Sequence, residues 1–392
     1  MKIILSDYSG RPFQVQLARE LSRRGYTVRH VYSSSFQTSK GNLIRQPGDP
    51  GDFEIVSVCN AANFAKGTFF TRRQQEIEIG NALAQQVAEF RPDVVVSSNA
   101  PLDTQRVFQR AAHTHGAKFV FRLQDIYSEA ISRAIPRKLP IAGHAIAAWY
   151  RHLEFSMLKS SDKIVAITHD FVPILTAKGI TSYRIAVIEN WAPTDELPQY
   201  SHNNDWASIN MPEGLRITYS GTLGYRHNPK LLIKMARQNP TAQILIFSEG
   251  QVADKVKTSA QAEGLSNLHV RPWVAFDDLP KMLSASDVFV AVIEPEAGVY
   301  SVPSKILTYL AIGRPILASV PAENLAARLI DRNEAGFTSA PGNDGVLLDA
   351  FARLAAEPDL CNRLGDNGRA YAHKTFDIAE IGNRFCAVLQ AA

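Results

Sequence analysis

The feature that most constrains this chain is a rhythm. Short apolar runs alternate with longer amphipathic ones, pause once, and then resume. "KIILSD" reads as a strand, and "FQVQLARELSRRG" as a helix with Pro12 near its start and Gly25 as its stop. "YTVRHVYS", "DVVVSSN", "KFVFRL", "KIVAIT" and "RIAVIEN" are further strands. Helical stretches separate them near 70–90, 103–115, 141–160 and 170–178. Strands this apolar are buried on both faces, so the pattern predicts a parallel sheet covered by helices.

The pause is "WAPTDELPQYSHNNDWASINMPEG", residues 191–214, with three prolines and little periodicity. It reads as a linker, with a surface loop as the alternative. The alternation then restarts with "LRITYSG", "QILIFSEG", "NLHVRPW", "VFVAVIE" and "PILASV". At 392 residues the chain exceeds one ordinary core. The expected fold class is α/β, with two doubly wound Rossmann-like domains whose parallel sheets face an interdomain cleft. They cover 1–190 and 215–376. A closing helix in 377–392 is free to pack on either. Ligands of such sheets sit beyond the carboxyl ends of the strands, so chemistry belongs in the loops that follow strands.

Composition excludes several classes. Cys59, Cys361 and Cys386 are far apart and form no CxxC pair, which supports neither a zinc site nor a disulfide framework and fits a reducing compartment. "MKIILSDYSG" is a strand and turn rather than a secretion signal, and no window reaches the ~20 apolar residues of a membrane span. A cytoplasmic place is therefore expected. Charge is uneven: residues 1–190 hold 24 Lys and Arg against 16 Asp and Glu, and the remainder 18 against 22. A basic half suits an anionic partner, although scattered solubility charge would read the same way.

"VPSKILTYLAIGRP", residues 302–315, sets Val302, Pro303, Ser304 and Lys305 at the mouth of an apolar helix. A helix start is an anion site, and a lysine there suggests phosphate. "YSGTLGYRHNP" follows a strand: Gly221, Thr222, Leu223 and Gly224 form a loop of little bulk through which backbone N–H groups can approach a ligand. Arg226 and His227 add donors. Two such loops on one sheet edge suggest a diphosphate. "FSEGQV" offers Glu249 and Gly250, and "RPWVAF" offers Trp273 and Val274 as a surface for a base. In the first half, "FRLQDIYSE" places Arg122, Gln124 and Asp125 at a strand end, and Ser9, Gly10 and Arg11 of "SGRP" form the opposite wall. Asp125 reads as a base or acceptor-hydroxyl partner, or as a helix cap. No GxxxxGK[ST], GxGxxG, HExxH or DxD is present, which disfavours kinases, dinucleotide dehydrogenases, zinc hydrolases and metal-dependent sugar transferases of the other common fold.

Together "YSGTLGYRHNPKLL", "PSKILTYLAIGRPILAS", "AENLAARLI" with "AGF", "LQDIY" and "SDKIVAITHDF" with "VIENW" resemble GT-B glycosyltransferases of family 4. Within that family they are similar to enzymes of bacterial surface polysaccharides, the colanic-acid-type fucosyl and N-acetylfucosaminyl transferases. The resemblance implies a retaining transfer, without metal or other cofactor, from a UDP- or GDP-linked sugar to a glycan or polyprenyl-diphosphate-linked acceptor. It implies that Lys305 and Arg226 meet the leaving diphosphate, with the donor held by the second-half residues above and the acceptor by Ser9, Gly10, Arg11 and Arg122. Asp125 and Gln124 would flank the reacting centre. Two departures stand out. Tyr300 and Thr308 occupy the positions of the family's paired glutamates, leaving Thr308 for the donor ribose. Gln124 stands where relatives carry histidine, and an amide is no base. The resemblance also implies peripheral contact with the inner face of the plasma membrane. "ISRAIPRKLPIAGHAIAAWYRHL" suits it, with Arg133, Arg137 and Lys138 among Ile135, Leu139, Ile141 and Trp149. A loop and a buried helix would read the same way. No nucleic-acid partner is expected. The alternatives are a nucleotide-sugar 2-epimerase of the same fold and a catalytically silent homologue.

Overall fold

The computed structural model describes residues 1–35, 40–60, 69–98, 100–140, 142–224, 227–293, 298–300 and 302–392, with the backbone alone for Phe69, Phe70, Ala134, Pro136, Arg137 and Lys138. Two compact units emerge, Met1–Asn190 with Ile378–Ala392, and Trp191–Asp377.

The first unit runs β1 (Lys2–Asp7), α1 (Pro12–Arg23), β2 (Thr27–Ser33), β3 (Phe53–Val58), α2 (Phe69–Phe90), β4 (Val94–Ser98), α3 (Leu102–Thr114), β5 (Lys118–Leu123), α4 (Tyr127–Lys138), α5 (Ala142–Ser160), β6 (Lys163–Ala166), α6 (Phe171–Ala177) and β7 (Ile185–Val187). Its sheet order is β3-β2-β1-β4-β5-β6-β7, with every pairing parallel. The strand order reverses between β1 and β4. All five residues of β4, Val-Val-Val-Ser-Ser, are buried, as a central strand covered on both faces requires. The edge strand β3 is buried only at its two ends.

The second unit runs α7 (Asp205–Asn210), β8 (Leu215–Ser220), α8 (Pro229–Gln238), β9 (Ala242–Phe247), α9 (Gln251–Ala262), β10 (Leu268–Arg271), α10 (Leu279–Ser284), β11 (Val288–Val292), α11 (Ser304–Ile312), β12 (Ile316–Ser319), α12 (Leu325–Arg332), β13 (Gly336–Ser339), α13 (Asp344–Ala356) and α14 (Pro358–Thr375). Its parallel sheet reads β10-β9-β8-β11-β12-β13, so the order reverses between β8 and β11. Residues 191–214 are more than a connector. They hold α7, whose N-cap Asn204 accepts from Ala207 N–H at 3.0 Å and donates to the Lys281 carbonyl at 3.0 Å. Trp191 is fully buried.

The closing helix α15 (Ile378–Gln390) belongs to the first unit. Arg24, at the end of α1, donates to Asn383 at 2.6 Å, and Arg384 donates to the Val187 carbonyl. Sandwiched between sheet and α15, α1 buries nine of its twelve residues, polar Gln14, Gln16 and Arg19 included. Glu154, on α5 and wholly buried, performs a missing cap. Its carboxylate accepts the Tyr127 and Ser128 N–H groups at 2.9 Å each, where the N-cap of α4, Ile126, has no side-chain acceptor.

Candidate functional site

In the second unit, the strands flanking the order reversal deliver the two loops picked out by residue type. After β8 the chain turns at Gly221, whose φ of +119° suits glycine alone. The Gly221 N–H is fixed to the Phe247 carbonyl at 3.0 Å, and the Leu223 N–H to the Ser248 hydroxyl at 3.1 Å. Leu223 is buried in the core, while Thr222 is exposed and its carbonyl accepts from the Tyr219 hydroxyl at 2.7 Å. His227 closes the loop: the Gly224 N–H donates to its Nδ1 at 2.8 Å, which leaves the ring proton on Nε2. Burial and the nearby Lys305 ammonium push the His227 imidazole down to about 4, so it is neutral at pH 7. Arg226 lies outside the described residues.

After β11 comes α11. Pro303 stands at its N-cap, no side chain caps it, and Ser304 and Lys305 open its first turn. Lys305 is half-buried rather than exposed. Its Nζ sits 3.7 Å from the centroid of the Tyr219 ring, and a Cβ placed on Gly221 would lie 3.4 Å from it. Tyr309 locks the two elements together: its hydroxyl accepts from Ser220 N–H at 3.0 Å and donates to the Ser220 carbonyl at 3.2 Å. Its ring stacks on Phe289 of β11, centroids 4.1 Å apart. Val302, Thr308 and Tyr300 are half-buried, Thr308 one turn beyond Ser304. Gly313 ends α11 with a φ of +77°, and β12 starts three residues later. Two further loops meet where Glu249, before the φ +102° Gly250, accepts from Trp273 N–H at 3.2 Å. Trp273 and Val274 are half-buried.

The first unit reads differently from its sequence. Arg122 is completely buried and presents no face to an acceptor. Its guanidinium donates to Gln14 at 2.6 Å and to Asn190 at 3.0 Å, between the rings of Phe13 and Phe385. Burial lowers it to about 9, still charged at neutral pH. Gln14 passes the chain on to Ser98 at 2.7 Å. Gln124 belongs to the same network, paired both ways with the Asn190 amide at 2.6 and 3.1 Å. Asp125, beside it, is half-buried. Ser9 and Gly10 are buried and Arg11 half-buried. Their loop is built by Asp7, which the sequence reading passed over: its buried carboxylate accepts the Ser9 and Arg11 N–H groups. Among the described residues, no three His, Cys, Asp or Glu side chains gather as a metal site.

Two Rossmann-like parallel units in tandem, the second with low-bulk loops and a lysine at its switch point, define the GT-B class. Residues 11–191 match the family model of a glycosyl transferase 4-like domain, and residues 204–371 that of glycosyl transferases group 1. The chain belongs to these glycosyltransferases. It is 27% identical over 276 residues to WbjE of Pseudomonas aeruginosa, named as a glycosyltransferase, across 69% of this chain and 68% of that one. It is 24% identical over 344 residues to WcaI of Escherichia coli, named for colanic acid biosynthesis, across 84% and 79%. Its fold matches sucrose-phosphate synthase of Thermosynechococcus elongatus with a TM-score of 0.77 at 15% identity, covering 100% and 98% of the two chains. It matches the Anabaena protein HepE, solved with UDP and glucose, with a TM-score of 0.72 at 16% identity, covering 100% of both.

Proposed function

We propose that this glycosyltransferase moves a sugar, with retention and without a metal ion, from a nucleoside-diphosphate sugar to a glycan or lipid-linked acceptor in bacterial cell-surface polysaccharide synthesis. The observation that carries this reading is Lys305, set beside Gly221 at the switch point of the second sheet. The sugar–phosphate C–O bond breaks as the acceptor oxygen bonds to the sugar, and the leaving diphosphate gains charge. Lys305 and the N-terminal turn of α11, which no side chain caps, are placed to receive that charge. The leaving phosphate takes the acceptor proton, so no protein base is required, consistent with the engagement of Gln124 by Asn190. Thr308 takes the ribose and the Trp273–Val274 edge the base.

A uridine donor is the first choice, since HepE was solved with UDP. WcaI, by its name, supports the polysaccharide setting. The family matches favour transfer over epimerisation or a silent homologue. Among the described residues no helix is long and apolar enough to cross a membrane. Peripheral docking is proposed through exposed Leu139 and Trp149, with Arg106 over the Trp149 ring at 5.8 Å. Ile141 and the side chains of Arg137 and Lys138 lie outside the described residues. The test is calorimetric titration with UDP, GDP and dTDP in EDTA. Tight binding of one of them supports the reading, and binding of none overturns it.

A further inference from the structure

The first unit holds an arginine pair that the donor reading does not use. Arg72 and Arg73 lie near the start of α2. Arg72 Nε meets Glu76 at 3.0 Å, and Arg73 Nε meets Asp103 at 3.2 Å. The two anchors are built into the interior. Asp103 is 3% exposed and also accepts from the Tyr150 hydroxyl at 2.6 Å. Glu76 is 8% exposed, and its own carbonyl accepts from Thr104 at 2.6 Å. The arginines themselves are open, with 64% and 40% of their side chains exposed.

Each guanidinium is thus held side-on through Nε. Among the described residues, neither Nη1 nor Nη2 of either arginine has a hydrogen-bond partner. Those two nitrogens form the fork that grips a phosphate. The place is also the right one. Asp103 opens α3 just after β4, and Tyr8 follows β1, the two strands that flank the order reversal of this sheet. Tyr8 lies within electrostatic reach of both Glu76 and Arg72. Ligands of open parallel sheets bind at this point. A pair of arginines pre-positioned by buried carboxylates loses less freedom on binding than a surface pair would.

We propose that Arg72 and Arg73 bind the phosphate-bearing end of the acceptor. This deepens the transferase reading and rests on it. Two sources share this chemistry, a lipid-linked diphosphate and a water-soluble phosphorylated glycan.

The test titrates the full-length protein with inorganic pyrophosphate by calorimetry. Two sites are expected. Lys305→Ala should remove one, and Arg72→Gln with Arg73→Gln should weaken the other at least tenfold. Arg72→Lys with Arg73→Lys keeps both ion pairs but not the forks, and should weaken the same site if the glutamine variant does not fold. With UDP saturating the donor site, geranyl diphosphate in detergent binding tenfold tighter than pyrophosphate identifies a lipid-linked acceptor. Equal affinities identify the soluble one. A single pyrophosphate site that vanishes in Lys305→Ala overturns this proposal and leaves the donor reading intact, as do two sites untouched by both arginine variants. Two sites that both survive Lys305→Ala, one of them lost with the arginines, overturn the donor reading alone.

Discussion

A Cβ placed on Gly221 would stand 3.4 Å from the Nζ of Lys305 and 3.5 Å from its Cε. The glycine after β8 and the flexible end of the α11 lysine therefore lie within van der Waals reach of each other. Gly221→Ala sets a methyl against the end of Lys305 and imposes a φ of +119° that an alanine resists. The expected cost is on the order of 1–2 kcal/mol of stability. Donor KM should rise while acceptor KM holds. Urea unfolding and initial-rate kinetics check it; an unchanged donor KM contradicts it.

Arg122 is a core residue, and its replacement should be felt as stability. Arg122→Met leaves the buried Gln14 Oε1 without its guanidinium donor and takes one of two donors, the other being Gln124, from the Asn190 Oδ1. The loss should be on the order of 3 kcal/mol in urea unfolding. A variant of native stability with a raised acceptor KM would return Arg122 to the acceptor site.

His30 sets an acid limit. It is completely buried on β2, and burial with the nearby Arg19 charge holds it at about 3 against 6.5 for a free histidine. Between those values the unfolded chain binds a proton that the folded chain refuses, so stability falls as pH falls from 6.5 toward 3, by up to about 1.4 kcal/mol per pH unit. Glu154 works in the opposite sense. Burial raises it to about 7 from 4.5, so its contribution is lost as pH rises through that interval. His30→Leu should remove the histidine's slope, and its stability relative to wild type should climb as pH falls. Urea titrations at three pH values between 6.5 and 4.5 measure this; parallel curves would contradict it.

Leu139 and Trp149, 50% and 46% exposed, are large apolar side chains open to solvent on the basic half of the chain. Replacing both by serine should reduce co-sedimentation with anionic vesicles severalfold and leave the melting temperature alone. Equal sedimentation of variant and wild type would remove the docking proposal.

The central strands were legible because burial on both faces forces an apolar run, as in Val94–Ser98 and Val288–Val292. The edge strands β3 and β13 escaped the reading because one side of each is only partly covered, and their residues need not be apolar throughout. In 191–214 the prolines and polar residues hid α7, which has six residues and buries a single one of them, Ala207. The phosphate loops could be read because glycine, serine and lysine announce backbone approach and charge locally. The Arg122 network could not. Its partners lie 68 and 108 positions away, and only the fold brings them together. Asp7 was the one missed residue with a local signal: a carboxylate at a strand end, followed by Ser9-Gly10, is a turn acceptor.

The most direct test of the donor site is calorimetry of UDP with wild type and Lys305→Ala, in EDTA. Wild type should bind UDP without metal. The variant should lose about 1.5–3 kcal/mol, roughly tenfold to more than a hundredfold in affinity. The variant's fold should lose no more than the roughly 0.5–1 kcal/mol of a cation–π contact over Tyr219. Undiminished UDP binding by a folded Lys305→Ala protein would contradict the account.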